Sequence, residues 1–312
     1  MQSALTLIAV SPWISPLWRV IAFAAALLVG LWVVFAALRL VAPAVAAIAW
    51  VTTKQALLQP LFYVLLLIGV FLMALFVVLP YNTLGEDIKM VKDEGFVVVM
   101  FLALAHGLWM ASVSIADEIE DKTALTLLSK PVGRLQFVFG KFLGVIGPVA
   151  LIFIILGAVF LTSISFKVVY DARELSLPTP GAADCWKEIV ATSPGLLLAF
   201  MEAIVLTAIS VAISTRLPLM PNLMICGTVY LLGNLAPQLL GSSAGKFEIV
   251  AFAARFFTNV LPVLDNFNIQ AAVAAGVDVP AIYLFWTGVL CVLYTAIAML
   301  LALLLFEDRD LA

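Results

Sequence analysis

Residues 115–144 read IADEIEDKTALTLLSKPVGRLQFVFGKFLG, a charged segment placed between two long apolar runs. The run before it covers about residues 96–116, and the run after it covers about residues 136–163. Each is long enough to cross the hydrocarbon core of a bilayer, which takes about 20 residues of helix. The sequence here predicts two membrane-spanning helices joined by a short polar connection. We call residues 117–130 within this connection the island.

The composition of the whole chain agrees with a membrane protein. Of its 312 residues, 65% are hydrophobic and only 11% are charged, and the mean hydropathy is +1.19. A soluble domain carries about 25% charged residues because its surface faces water. Lipid is therefore the expected surrounding of most of the chain. The net charge of −3 argues against a nucleic-acid partner.

Apolar length and flanking charge predict seven membrane-spanning segments. They are residues 17–40, 57–79, 96–116, 136–163, 189–214, 219–240 and 281–306. In hydrocarbon each segment satisfies its backbone hydrogen bonds only as a helix, and no alternating pattern typical of a membrane barrel is present. The predicted fold class is an all-α polytopic membrane protein. The first segment also fits a signal peptide, but its apolar run is long for one, and we expect an anchoring helix.

The distribution of basic residues bears on the orientation of the chain. With the island placed in the cytoplasm, the total numbers of basic residues on the two sides are equal. Four of them, however, cluster near the island: Lys122, Lys130, Arg134 and Lys141. The positive-inside rule applies best to such short connections. We therefore expect a cytoplasmic island, an external N-terminus and an internal C-terminus.

Three long connections fall on the predicted outer face. They cover residues 81–95, 164–188 and 241–280. Within the last, residues 246–260 place apolar side chains at helical spacing beside charged ones. This pattern is typical of a short amphipathic helix that lies in the interface or dips back into the membrane.

The island has the pattern of a short amphipathic helix. Its first turn is acidic, which suits the positive end of a helix dipole; the residues are Asp117, Glu118, Glu120 and Asp121. Leu127 and Leu128 then form part of an apolar stripe. Lys130 lies at the expected helix end, because Pro131 disfavours helical geometry at the residue before it. A rigid helix between two spans can transmit motion, whereas the alternative interpretation is an ordinary solvated loop.

The island also resembles a known signature. The segments 118–123, 127–134 and 140–144 are similar to the type-2 ATP-binding-cassette (ABC) permeases. The match consists of an acidic and basic start, Thr123, the leucine pair, Lys130, Pro131 and Arg134. The chain departs from many members at Lys122, where they carry glycine, and in its additional N-terminal span.

The resemblance implies an architecture and partners. It implies a six-span exporter permease core over residues 49–312, preceded by an extra N-terminal transmembrane anchor over residues 1–48. The island would be a coupling helix that docks into a separate ATPase subunit, which binds ATP and Mg²⁺. A second permease subunit, identical or different, would complete the transporter. The implied location is the bacterial inner membrane.

The chain carries no sequence pattern for catalysis or for a cofactor. It has no GxxxxGK[ST] phosphate-binding loop, so ATP hydrolysis is not expected within it. His106 is its only histidine, which leaves no HExxH site, and a serine triad would need that same histidine, which lies in the middle of a predicted span. The cysteines are far apart and predict neither a disulfide nor a metal site. They are Cys185, Cys226 and Cys291.

Polar residues within the spans are the remaining candidates for function. Glu202 and His106 lie near the middle of their predicted helices, where an unpaired charge costs several kcal/mol. They are expected either to line a translocation path or pair with each other, or to form interhelical hydrogen bonds. Asn222, Asn234 and Gln238 on the sixth span are expected to form interhelical hydrogen bonds.

Two other functional classes remain open from the sequence. A membrane scaffold of an envelope or motility complex would bind partners through its loops without transporting anything. An ion-coupled secondary carrier would use Glu202 and His106 instead of an ATPase. Secondary carriers usually contain broken helices in paired halves, and the sequence shows no such pairing.

Overall fold

The computed structural model describes residues 12–79, 87–117, 133–176, 178–241 and 247–307. These residues form ten α-helices and no strand. The helices are α1 (Leu17–Val41), α2 (Pro43–Leu58), α3 (Pro60–Val78), α4 (Asp87–Ser112), α5 (Arg134–Glu174), α6 (Ala182–Ser214), α7 (Leu219–Gly241), α8 (Glu248–Val260), α9 (Gln270–Ala274) and α10 (Ala281–Glu307). A π-helical turn follows α4 at Val113–Asp117, and a 3-10 turn lies at Leu264–Asn266.

Seven of these helices are long and apolar enough to span a membrane, which confirms the predicted fold class. They are α1, α3, α4, α5, α6, α7 and α10. Between 56% and 67% of the apolar windows of α4, α5 and α6 is buried, against 6–28% for the other four. The three buried helices therefore form the centre of the bundle. The other four surround them and turn apolar side chains outward, where lipid is the expected solvent.

All three central helices extend well beyond the spans predicted from hydropathy, and α4 begins at Asp87, inside the connection predicted over residues 81–95. We predicted a connection over residues 164–188, but α5 continues to Glu174 and α6 begins at Ala182. The 41 residues of α5 correspond to a length of about 60 Å, roughly twice the hydrocarbon thickness. The prediction of a long connection was wrong because hydropathy marks where the apolar surface ends, and a helix can continue into water.

Ion pairs stabilise these extensions. The Lys167 ammonium lies 3.2 Å from a carboxylate oxygen of Asp87 on α4 and 3.1 Å from one of Asp171, one turn further along α5. Lys92 of α4 lies 2.6 Å from Glu188 of α6. The charges that end the apolar runs therefore hold α4, α5 and α6 together at one end of the bundle. We call this end the outer end.

The opposite end of the bundle carries the island, and we call it the island end. Here Asn222 of α7 contacts Ser112 of α4 and Ser214 of α6. The rings of Phe137 on α5 and Phe306 on α10 stack at 5.5 Å. At the outer end, Ser165 donates a hydrogen bond to the carbonyl of Trp13, just before α1. The chain segment before α1 and the end of α10 therefore lie at opposite ends, as the predicted odd number of spans requires.

Helix α2 was not predicted, and it packs against the island half of α5. Three glycines on α5 allow the close approach: Gly140, Gly144 and Gly147. Thr53 of α2 donates a hydrogen bond of 3.0 Å to the carbonyl of Gly144. The predicted division after residue 48 falls inside this helix, and the division itself stays a prediction.

Helix α8 runs back along α7 from the outer end. It packs against α7, and the chain that follows it places the Leu264 side chain and the Pro262 carbonyl against Gly233. Gly233 lies eight residues before the end of α7, which corresponds to a depth of about 12 Å. Helix α8 and the residues after it therefore run back beside α7, and the choice between the interface and the membrane interior stays a prediction. We call residues 262–268 the re-entrant turn.

Replacing Gly144 with alanine tests the packing of α2 on α5. A Cβ at this position would lie 2.5 Å from the Cβ of Thr52 and 2.9 Å from the carbonyl oxygen of Ala49, neither of which can move without shifting α2. We expect Gly144→Ala to lower the free energy of unfolding by about 1–3 kcal/mol. SDS-induced unfolding in mixed micelles, followed by circular dichroism, measures this. The control is Gly227→Ala, because nothing lies within 4 Å of its Cβ position. Equal stability of the two variants would contradict the packing described.

Candidate functional site

The predicted coupling element lies mostly outside the described residues. Residues 118–132 are not described, so the positions predicted for Glu118, Glu120, Asp121, Thr123, Leu127, Leu128, Lys130 and Pro131 stay predictions. The structure does describe both attachments of the island. Asp117 ends the π-helical turn that follows α4, and Arg134 is the first residue of α5. The Gly133 amide donates to the Gln136 side chain, which caps the start of α5.

A buried polar cluster joins three helices beside the first attachment. The side-chain amide nitrogen of Asn222 lies 2.6 Å from the hydroxyl of Ser112, 2.7 Å from that of Ser210 and 3.0 Å from that of Ser214. All four side chains are buried. An asparagine amide carries two N–H bonds, so it donates to at most two of these hydroxyls at one time. We call these four residues the Asn222 cluster.

The Asn222 cluster holds the end of α4 that leads to the island. Ser112 is the last residue of α4, directly before the π-helical turn, and Ser214 is the last residue of α6. Because these contacts are buried, breaking one leaves a polar group without a partner, at a cost of about 1–3 kcal/mol. A displacement of the island-side end of α4 is therefore resisted by α6 and α7. The expected interhelical role of Asn222 is confirmed by these contacts.

A second polar group lies between α6, α7 and the re-entrant turn. The Glu202 side chain is only 1% exposed. The side-chain amide of Asn234 donates to it at 2.8 Å, and Asn268 donates to the Asn234 carbonyl oxygen at 3.3 Å. One turn further along α7, Gln238 donates to Asp265 at 3.0 Å. The contact with Glu202 confirms the expected interhelical hydrogen bond of Asn234, whereas Gln238 bonds to the turn at Leu264–Asn266 rather than to another span. We call the five residues the Glu202 chain.

The Glu202 chain supports irregular backbone beside α7. Backbone that is neither helix nor closed barrel survives in hydrocarbon only where protein or a water-filled cavity satisfies its polar groups. The side chains of Asn234 and Gln238 hold the re-entrant turn, and the Tyr283 hydroxyl donates to the carbonyl of Asn266 at 2.6 Å. The Glu202 chain and the re-entrant turn therefore lie at the same position in the bundle.

His106 is not part of the Glu202 chain. Its ring is fully buried and packs edge-on against Phe62 at 5.4 Å, and neither ring nitrogen has a hydrogen-bond partner among the described residues. Glu202 accepts its hydrogen bond from Asn234 instead. The expectation that Glu202 and His106 pair is therefore wrong, and so is the alternative that His106 forms an interhelical hydrogen bond, since it has no such bond to the described residues. That either of them lines a path stays a prediction.

One acidic group at the outer end has the composition of a metal site. Carboxylate oxygens of Asp87, Asp171 and Glu174 lie within 4.8 Å of one another. The Lys167 ammonium lies between Asp87 and Asp171, at 3.2 and 3.1 Å. A positive charge from the protein itself therefore compensates these carboxylates. This group, like the Ser112, Ser210 and Ser214 hydroxyls, was not predicted from the sequence.

Comparison with known families matches residues 87–311 to the family described as ABC-2 family transporter protein. The match covers α4 to α10, including both polar groups and the island. The chain belongs to this family. A search of curated proteins finds no match to it.

Family membership confirms the resemblance seen in the island and supports a permease of an ABC transporter. The chain is an integral, multi-pass membrane protein, and the family implies association with an ABC ATPase subunit. Members are the membrane components of transporters rather than catalysts. The matched range begins with α4, so α1, α2 and α3 lie before it.

Replacing Asn222 with alanine tests the cluster. The variant removes the donor shared by three serine hydroxyls, and we expect the free energy of unfolding to fall by about 1–3 kcal/mol. Unfolding in mixed micelles measures this. Asn259→Ala is the matched control, because Asn259 is exposed on α8 and its loss should change stability little. An Asn222→Ala variant as stable as the control would mean that the cluster contributes nothing to the bundle.

Proposed function

We propose that this chain is the permease subunit of an ATP-driven exporter in a bacterial inner membrane. A separate ATPase binds the island, residues 117–130, on the cytoplasmic side. A second permease subunit, identical or different, completes the path. Family membership supports the permease class, and the resemblance of the island to exporter permeases favours export.

The proposal that the ATPase is coupled to the membrane helices is supported by the way the island is attached to the bundle. The island lies between α4 and α5, two of the three central helices. On the α4 side, the Asn222 cluster links its attachment to α6 and α7. A force on the island therefore acts directly on the buried central helices rather than on a peripheral helix.

Coupling also requires a difference in binding. An ATPase can shift the permease between two conformations only if it binds the island with different free energies in them. Closure of the ATPase around ATP and Mg²⁺ supplies such a difference. The chain contributes the island and the membrane helices, whereas the nucleotide and the metal ion are bound by the partner. No phosphate-binding loop occurs in this chain.

The proposed path passes the Glu202 chain. Here α6, which is central, meets α7, which is mostly exposed in the isolated subunit. The re-entrant turn closes this position from the outer end. A tilt of α6 against α7 would change the contact between Glu202 and Asn234, and with it the access to this position.

Reversing the charge of the island tests the docking. We expect Glu118→Lys combined with Glu120→Lys to abolish copurification with a P-loop ATPase from the same genome, because both acidic side chains lie on the proposed docking helix. Affinity purification of the tagged permease from detergent-solubilised membranes measures this. Membrane insertion should remain intact.

Glu248→Lys is the control, since it makes the same change on α8, close to the outer end of α7. It should leave copurification unchanged. Retention of the ATPase by the island variant with wild-type affinity would contradict the proposed docking site.

A further inference from the structure

The Glu202 chain contains acidic and amide groups but no basic one. The carboxyl groups of Glu202 and Asp265 accept hydrogen bonds from the carboxamides of Asn234 and Gln238 respectively, and the Asn268 carboxamide donates to Asn234. Burying carboxylates in a membrane is costly unless a cation compensates them. Within the part of the chain that the structure describes, no ion pair supplies that cation to Glu202.

The basic residues paired at the outer end and the one on α8 do not fill this role. Lys92 is paired with Glu188, and Lys167 is paired with Asp87 and Asp171 at the outer end. Arg255 on α8 is exposed, and no hydrogen bond of the described residues joins it to the Glu202 chain. A ligand that reached Glu202 would therefore meet acceptor oxygens and no competing positive charge.

Solvent exposure differs among the residues of the Glu202 chain. Gln238 is exposed, Asp265 and Asn234 are partly buried, and Glu202 is fully buried. On the same stretch of α7, Leu231 and Leu235 are 63% and 48% exposed. A ligand that approaches from this side contacts an apolar surface and the polar side chains of Gln238 and Asp265. It must therefore carry both apolar and polar groups.

We propose that the Glu202 chain binds the cationic group of the transported substrate, and that this substrate is an organic cation with an apolar body. The cation first contacts Asp265 and Gln238, and then Glu202 when the re-entrant turn moves from α7. Anionic substrates, such as phosphate-bearing polymers, are disfavoured by the same carboxyl groups. This inference rests on the proposed permease function, because it names the cargo of that path.

Two probe ions of nearly equal size and opposite charge test the proposal. Tetraphenylphosphonium and tetraphenylborate are titrated separately against the purified chain in lipid nanodiscs, with empty nanodiscs as the blank. We expect saturable binding of the cation and none of the anion above the blank. The Glu202→Gln variant, which keeps the shape and removes the charge, should weaken cation binding by about tenfold or more.

Glu248→Gln is the matched control, because it removes an acidic charge from α8 outside the Glu202 chain. It should bind the cation as the wild type does. Thermal unfolding of each variant separates a binding role from a structural one. If Glu202 only holds the re-entrant turn, Glu202→Gln would lower the unfolding temperature and leave the cation affinity unchanged, which would overturn the proposal. Equal binding of the two ions, or no cation binding by the wild type, would overturn it as well.

The titration contains neither ATPase nor ATP, so its failure is distinguishable from a failure of the docking proposal. The island variant with Glu118→Lys and Glu120→Lys should still bind tetraphenylphosphonium. Loss of copurification without loss of cation binding would support both proposals. Loss of cation binding in that variant would instead place the cation site at the island and contradict the assignment to Glu202.

Discussion

Backbone polar groups must find hydrogen-bond partners wherever the chain is surrounded by hydrocarbon, and this constraint shapes the whole structure. It makes every span a helix, and it explains why the only deep break in helical structure among the described residues lies against polar side chains. The re-entrant turn at residues 262–268 is held by Asn234, Gln238 and Tyr283. A bend of this kind facing lipid would leave its backbone groups unpaired. Irregular backbone and polar side chains therefore occur together, which is also what a binding position in a membrane requires.

In the proposed mechanism, the Asn222 cluster lies at the end of the bundle that receives force, and the Glu202 chain lies at the position where that force changes access. The Asn222 cluster lies beside the attachment of the island and joins α4, α6 and α7. The Glu202 chain lies further along the same α6 and α7 and reaches the re-entrant turn. Both groups therefore include residues of α6 and α7. A relative movement of α6 and α7 that starts at the first group is carried along rigid helices to the second.

Hydropathy was sufficient for the seven spans because apolar length is a local property of the sequence. It was insufficient for the outer ends of α4, α5 and α6, because they are stabilised by the ion pairs Lys92–Glu188 and Lys167–Asp87, whose members are distant in sequence. Helix α2 was missed because its 16 residues are too few for a span, and its role depends on the glycines of α5. Glu202 was identified by its charge within an apolar run. Its partner Asn234 was likewise expected to form an interhelical hydrogen bond. Asn268, which donates to Asn234, could not be assigned, because only the folded chain brings the re-entrant turn back to α7.

Accessibility at residue 234 tests most directly whether movement at the island reaches the Glu202 chain. The three native cysteines are buried and free, so they can be replaced before Asn234→Cys is introduced. The permease and its copurified ATPase are reconstituted, and a membrane-impermeant maleimide is added from the outer side. The account predicts labelling about tenfold faster with ATP and vanadate than without nucleotide, with a control cysteine at exposed Asp278 labelled equally in both states. Equal labelling rates at residue 234 in the two states would contradict it.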